Sequence, residues 1–192
     1  MAEVLLFHHA LGLTPGVTAF ADDLVKAGHT VHTPDLFDGS TFTEIKDGME
    51  YAEEHGFPEA YIDRAAAIAE DLPEGIVYMG MSLGAVPAQK LAMTRKGARG
   101  AVLFYSFVPS AFFGEWPSAV PAQIHMHESD PFVVEEGDLK AAQEVADSVQ
   151  GVELFLYPGD THYFADSTHA DFDQEAALLA KERVFAFLAD VG

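Results

Sequence analysis

The stretch Ile76-Val77-Tyr78-Met79-Gly80-Met81-Ser82-Leu83-Gly84 decides the fold of this chain. It begins as an apolar strand, ends as Gly-x-Ser-x-Gly, and precedes a predicted helix that runs from Leu83 to about Arg95. In this pattern the chain turns sharply from strand into helix, the serine backbone is strained, and the two glycines leave room for it. The positive end of the helix then stabilises negative charge near the hydroxyl. Ser82 is therefore the predicted nucleophile; the alternative is a glycine-flanked serine in an ordinary turn.

The composition favours a single domain over residues 1–192. The chain has 192 residues, 49% of them hydrophobic, which is enough to bury one large core. It has no cysteine, so disulfides, thiolate metal ligands and a cysteine nucleophile are excluded. The formal net charge of −21 repels nucleic acid and anionic lipid, so neither is an expected partner. No apolar run approaches the roughly 20 residues of a membrane helix, and no leader is apparent, so a cytoplasmic location is expected.

Short apolar runs alternate with helical patterns along the whole chain. Because most of these runs lack polar residues at alternate positions, we expect strands buried on both faces, as in a parallel sheet. The sequence thus predicts an α/β fold of three layers, with about six mostly parallel strands and helices on both faces. Within it, Thr41 and Glu44 have the spacing of a capping box before a helix. The expected strands are Val4 to His8, His29 to Thr33, Ile76 to Tyr78, Gly100 to Tyr105, Gln123 to His127 and Val152 to Tyr157.

A nucleophilic serine needs a base and a third group that orients the base. Ser82, Asp130 and His162 each lie just past a predicted strand, and the carboxyl ends of parallel strands meet at one edge of a sheet. Their order in the chain is that of the α/β-hydrolases. We predict that His162 is the general base and that Asp130 orients its imidazole. Glu128 or Asp160 could take the place of Asp130.

The loop after the first strand is the expected partner of the elbow. The Leu83 N–H would form half of an oxyanion hole, and the Ala10 N–H is the best candidate for the other half. His8 and His9 leave the first strand beside Ala10; one of them is expected to pack inward, and His9 is the candidate contact to substrate.

The segment from Ser106 to Val120 is long and rich in proline and aromatic residues. Two interpretations remain open: a loop that buries its own aromatic side chains, or a wall over an apolar pocket. In the second interpretation Phe107 and Trp116 contact the substrate.

Histidines on one strand raise the question of a metal. His125 and His127 share a face, and His8 or His9 could join them. A catalytic zinc needs three convergent ligands with a recognisable spacing, and the sequence establishes neither. We therefore predict no metal and no cofactor.

Four segments together resemble the dienelactone hydrolase family of α/β-hydrolases. They are Thr33–Phe37 (TPDLF), Gly80–Gly84 (GMSLG), Ser129–Phe132 (SDPF) and Tyr157–Phe164 (YPGDTHYF). The resemblance spans nearly the whole chain. It implies a hydrolase of lactones or small esters, with Ser82, Asp130 and His162 at the positions of the family triad.

The chain also departs from the family members that open dienelactone. Those members commonly have a cysteine nucleophile, a glutamate in the first loop, and arginines that bind the substrate carboxylate. Ser82, His9 and Asp166 stand at or near the corresponding positions here. The resemblance therefore implies a neutral, small or partly aromatic ester, attacked by Ser82 to form an acyl-enzyme that water releases.

Three other functions compete with this hypothesis. A non-catalytic protein that binds a small ligand can have the same fold, because a fold does not confer activity. An acyltransferase uses the same triad and an acceptor other than water. A metal-dependent hydrolase would use the histidines.

Overall fold

A computed structural model describes residues 1–192, except for the side chain at position 110. Six strands form one parallel sheet, and this confirms the predicted α/β architecture. The strands are β1 (Glu3–Phe7), β2 (Thr30–His32), β3 (Ile76–Met81), β4 (Gly100–Phe104), β5 (Ala122–His127) and β6 (Val152–Tyr157). Their order across the sheet is β2-β1-β3-β4-β5-β6. The strand that precedes the elbow, β3, therefore lies near the middle of the sheet.

Helices cover both faces of this sheet. They are α1 (Pro15–Lys26), α2 (Ile45–Glu54), α3 (Glu59–Glu70), α4 (Ala85–Thr94), α5 (Ser110–Phe113), α6 (Pro131–Glu135), α7 (Asp138–Ser148) and α8 (Gln174–Val191). Leu5 and Phe7 of β1 pack in a cluster with α3 and α4, whereas Val4 and Leu6 pack in a second cluster with α1 and α8. Successive side chains of a strand point to opposite faces, so β1, β3, β4 and β6 contribute to both clusters. This explains the nearly continuous apolar runs in the sequence.

The N-terminus of α1 forms as its sequence predicts. Thr14 caps the helix, with its hydroxyl accepting the Val17 N–H at 3.2 Å, and Pro15 is the first helical residue. The predicted capping box before α2 is wrong. Glu44 itself is the N-cap residue and forms no side-chain cap hydrogen bond, so Thr41 lies outside the first turn.

The topology brings three strand ends to one edge of the sheet. Neighbouring strands β3, β4, β5 and β6 all run in the same direction, so the residues that follow them share that edge. Ser82 follows β3, Asp130 follows β5 and His162 follows β6. Among the helices of the described chain, none is long and apolar enough to cross a membrane.

Candidate active site

Ser82 lies at a strained elbow between β3 and α4. Its φ is 50°, in the left-handed region that side chains other than glycine rarely adopt. A Cβ atom on Gly80 would collide with the Gly84 carbonyl group, and a Cβ on Gly84 would collide with the Phe7 carbonyl group. Both glycines are therefore required by close packing of the backbone around the serine.

Ser82, His162 and Asp130 form a continuous chain of hydrogen bonds. The Ser82 Oγ lies 2.8 Å from the His162 Nε2, and the His162 Nδ1 lies 2.6 Å from the Asp130 Oδ2. His162 is 7% exposed and Asp130 is 1% exposed. Because the carboxylate accepts the proton on Nδ1, Nε2 is free to accept the Ser82 hydroxyl proton. The structure thus brings together the three side chains that the sequence grouped.

The second oxygen of Asp130 fixes the carboxylate in place. Asp130 is the N-cap residue of α6, and its Oδ1 accepts the Phe132 N–H at 3.0 Å. The two alternative carboxylates, Glu128 and Asp160, are exposed. Of these three carboxylates, Asp130 is therefore the one that forms a hydrogen bond with His162.

The loop after β1 lies directly beside the elbow. Gly84 packs against the carbonyl groups of Phe7 and His8, and the loop continues into the buried residue Ala10. Among the described residues the Ala10 N–H has no hydrogen-bond partner. Leu83 follows the serine and lines the cavity in front of it. Two N–H groups are thus present in the two segments where an oxyanion hole requires them.

The structure places His9 in the protein interior, away from the cavity in front of Ser82. Its Nδ1 accepts the Leu11 N–H, so its Nε2 donates to the Asp166 Oδ2 at 2.9 Å. Asp166 also accepts hydrogen bonds from Thr14 and Thr168. Burial lowers the pKa of His9. Burial opposes ionisation of Asp166, but these hydrogen bonds outweigh it and hold the pKa of this carboxyl below its usual range.

His8 is also buried beside this loop. Its Nε2 accepts the Leu36 N–H at 3.0 Å, and its Nδ1 lies 2.8 Å from the His9 carbonyl oxygen. Burial lowers the pKa of His8 to about 4. Both histidines of the first loop therefore hold neighbouring backbone segments together.

A cavity of about 640 Å³ opens in front of Ser82. Most of its wall is apolar, and aromatic side chains contribute much of that wall. They include Phe57 before α3, Phe112 and Phe113 of α5, and Phe132 of α6. A cavity of this size and lining suits a small molecule with an apolar or aromatic part.

Phe107 and Trp116 do not line this cavity. Their ring centroids are 6.0 Å apart, and the Trp116 Nε1 donates to the Val120 carbonyl oxygen at 2.7 Å. Both side chains are buried beneath the loop. The loop from residue 106 to residue 120 therefore combines the two predicted interpretations. It buries these two aromatic residues, whereas Phe112 and Phe113, two other aromatic residues of the same segment, line the cavity.

Charged side chains at the cavity are mostly acidic. Asp138 accepts hydrogen bonds from the Ser106 hydroxyl at 2.6 Å and the Phe107 N–H at 3.0 Å. Burial raises the pKa of both Asp138 and Glu136. The Lys90 ammonium group lies 5.1 Å from the centroid of the Phe113 ring. Carboxylates thus lie close to the point where a substrate would meet Ser82.

The histidines of β5 do not converge on a metal site. His125 stacks between Phe104 and Phe155, with its Nδ1 2.8 Å from the Tyr157 hydroxyl. His127 stacks on Phe164 with the ring centroids 4.4 Å apart. Among the described residues, no three or more histidine, aspartate or glutamate side chains lie close enough together to hold a metal ion.

Comparisons with known proteins bear on the family and the fold of the chain. The model of the dienelactone hydrolase family matches residues 1–192. No curated protein matches the chain.

Several solved structures share the fold. A dienelactone hydrolase-like promiscuous phosphotriesterase from metagenomic libraries has 17% identity and a TM-score of 0.77, covering 100% of this chain and 87% of its own. A monoacylglycerol lipase from Paleococcus ferrophilus has 14% identity and a TM-score of 0.71, and the match covers 99% of this chain and 95% of the lipase. A cold-adapted esterase from an Arctic intertidal metagenomic library has 19% identity and a TM-score of 0.67, and the match covers 97% of this chain and 82% of the esterase. At these identities the likeness shows the fold alone.

Proposed function

The chain belongs to the dienelactone hydrolase family, and we propose that it is a serine hydrolase that cleaves a small carboxylic ester or lactone through an acyl-enzyme. The observation that carries this proposal is the hydrogen-bonded chain from the Ser82 Oγ through His162 to Asp130, at distances of 2.8 Å and 2.6 Å. The strained φ of Ser82 supports it, because backbone strain of this kind concentrates at functional sites.

The reaction begins with attack of the Ser82 Oγ on the substrate carbonyl carbon. The hydroxyl proton passes to the His162 Nε2, while the electron pair of the carbonyl double bond moves onto the carbonyl oxygen. The N–H groups of Leu83 and Ala10 donate to this oxyanion. Asp130 remains ionised and stabilises the imidazolium ion.

Three proton transfers complete the cycle. The intermediate collapses and expels the alkoxide of the ester, which takes the proton from His162 and leaves an acyl group on Ser82. Water then loses a proton to His162 as it attacks the acyl carbon. When the second intermediate collapses, Ser82 recovers its proton and the carboxylic acid is released.

The walls of the cavity favour an uncharged, partly aromatic ester. The rings of Phe57, Phe113 and Phe132 offer apolar and aromatic contacts. Glu136 and Asp138 repel a substrate carboxylate, and the formal net charge of −21 opposes the approach of any anion. Dienelactone, which family members bind through its carboxylate, is therefore a poor candidate.

A fluorophosphonate probe and a panel of p-nitrophenyl esters and lactones test the proposal. We expect the wild type to bind one probe per chain and to hydrolyse uncharged esters faster than anionic ones. Ser82→Ala should lose both the labelling and the hydrolysis. Ser148→Ala is the matched control, because Ser148 is exposed on α7 and should behave as the wild type.

The outcome separates the competing functions. A folded wild type that neither binds the probe nor cleaves any ester would refute the proposal and favour a ligand-binding protein. Transfer of the acyl group to an added alcohol or thiol in preference to water would identify an acyltransferase.

A further inference from the structure

The segment from residue 106 to residue 116 separates two cavities. Val108 lines the cavity of about 640 Å³ in front of Ser82. Phe107 lines a second cavity of about 570 Å³ on the other side of the segment, whose remaining walls come from α4 and α7. Pro109 lines both cavities. We call this segment the partition, because it has open space on both of its sides.

Two side chains hold the start of the partition by hydrogen bonds. The Gln89 amide group donates to the Val108 carbonyl oxygen at 2.8 Å and accepts the Val108 N–H at 2.8 Å. Asp138 accepts the Ser106 hydroxyl at 2.6 Å and the Phe107 N–H at 3.0 Å. Among the described residues, these are the hydrogen bonds that join the start of the partition to other elements. The position of the partition therefore depends on these two side chains.

Gln89 also links the partition to the helix that follows the nucleophile. It lies in α4, about two helical turns after Ser82, and is 1% exposed. The rise of a helix separates these two residues by about 10 Å along its axis. Because Gln89 binds the backbone of Val108, it fixes the distance between the nucleophile and the partition.

This distance limits the length of a substrate that lies along the cavity. While the partition is held, a chain longer than the span from Ser82 to Val108 meets it. Once released, the partition can retreat into the cavity behind it, which is nearly as large as the one in front. Resting on the proposed function, we propose that Gln89 is a positioning residue that sets the upper length of the ester, by holding Val108 and with it the partition between the two cavities.

Gln89→Leu is the direct test, with Gln123→Leu as its matched control. Leucine removes both hydrogen bonds to Val108 with little change in volume. Gln123 is likewise a buried glutamine, but it lies in β5 and lines neither cavity. The readouts are the melting temperature and kcat and KM for two pairs of esters. p-Nitrophenyl butyrate and p-nitrophenyl laurate vary the acyl chain, and butyl acetate and dodecyl acetate vary the alcohol chain.

The measured quantity is the ratio of kcat/KM for the long ester to kcat/KM for the short ester. In at least one pair we expect this ratio to rise by about 10-fold in Gln89→Leu, because added methylene groups gain apolar contacts. The rise should come mainly from a lower KM for the long ester. Gln123→Leu should keep the wild-type ratio. A loss of folded protein alone cannot raise the ratio, because it lowers kcat/KM for both esters by the same factor.

A ratio that is unchanged or lower in both pairs would overturn the inference. If Gln89→Leu does not fold, Gln89→Asn takes its place. Its amide group remains polar but is one methylene group shorter, so it cannot reach both polar atoms of Val108. A higher ratio in Gln89→Asn supports the inference, and an unchanged or lower ratio overturns it.

The proposed function fails in a different way. In that case the wild type hydrolyses none of the four esters and binds no fluorophosphonate probe. Failure of this inference alone leaves a labelled, active wild type whose ratio of long to short esters Gln89→Leu shares.

Discussion

Replacing Asp130 with asparagine exchanges one carboxylate oxygen for an amide group at the orienting end of the hydrogen-bonded chain. Asp130 accepts two hydrogen bonds, from the His162 Nδ1 at 2.6 Å and from the Phe132 N–H at 3.0 Å. An asparagine has a single acceptor oxygen, so it can satisfy one of these donors and presents an N–H to the other.

Each orientation of the new amide has a cost. If its oxygen keeps the Phe132 N–H, the amide N–H donates to the His162 Nδ1, and the imidazole proton moves to Nε2. In that tautomer His162 cannot accept the Ser82 proton. If instead the oxygen turns to His162, two N–H groups meet at the start of α6. Because Asp130 is 1% exposed, water cannot relieve this contact between two hydrogen-bond donors.

We expect the first orientation, which preserves the helix cap, and a folded protein with kcat reduced by about 10⁴-fold, as for the same change in known Ser-His-Asp enzymes. This factor corresponds to about 5.5 kcal/mol of lost transition-state stabilisation. The assay is kcat for a p-nitrophenyl ester at saturation, with thermal unfolding as the check on the fold.

Glu128→Gln and Asp160→Asn are the matched controls, since both carboxylates are exposed and should give wild-type kcat. A value of kcat in Asp130→Asn within ten-fold of the wild type would refute the reasoning. It would show that His162 is oriented without this carboxylate.

Two further predictions concern stability. Gly84→Ala places a methyl group against the Phe7 and His8 carbonyl groups and should lower the free energy of unfolding by several kcal/mol. Gly75→Ala is the control, because its methyl group would make only ordinary contacts and should change the free energy of unfolding little. Equal melting temperatures of the two variants would contradict this prediction. Burial lowers the pKa of His125 from 6.5 to about 3, so the unfolded chain binds the proton first and stability is lost as the pH falls below 6.5. The free energy of unfolding, measured by urea titration, should therefore fall less between about pH 7 and pH 4.5 in His125→Phe than in the wild type, by about 2–3 kcal/mol. An equal fall in both proteins would contradict this prediction.

The fold was predictable because its signals are local. Continuous apolar runs such as Ile76–Met81 and Gly100–Phe104 indicate strands covered on both faces, and the elbow fixes the direction of the chain between β3 and α4. Because the strands of a parallel sheet all run in the same direction, the residues that follow each strand lie at one edge of the sheet. The grouping of Ser82 with His162 and a carboxylate follows from this placement, but chain order left Glu128 and Asp160 as alternatives to Asp130.

The lining of the cavity was not predictable, because it depends on contacts between distant segments. The backbone of Val108 exchanges two hydrogen bonds of 2.8 Å with the Gln89 side chain, and the Phe107 N–H is bound by Asp138. These contacts turn the loop so that Phe107 faces inward and the Phe112 side chain reaches the cavity. Nothing in the periodicity of residues 106–120 encodes that rotation.

The same dependence on distant contacts explains why His9 does not line the cavity in front of Ser82. His9 and Asp166 are 157 residues apart in sequence, and their hydrogen bond joins the loop of Ala10 to the loop of His162. On the other side, the Ala165 N–H donates to the Tyr105 hydroxyl at 3.0 Å. The loop of His162 is thus attached both to the loop of Ala10 and to Tyr105, the residue that follows β4. Catalysis by dipoles and hydrogen bonds requires groups that need no rearrangement when charge develops, so in the proposed mechanism these two attachments keep the N–H of Ala10 and the imidazole of His162 in fixed positions.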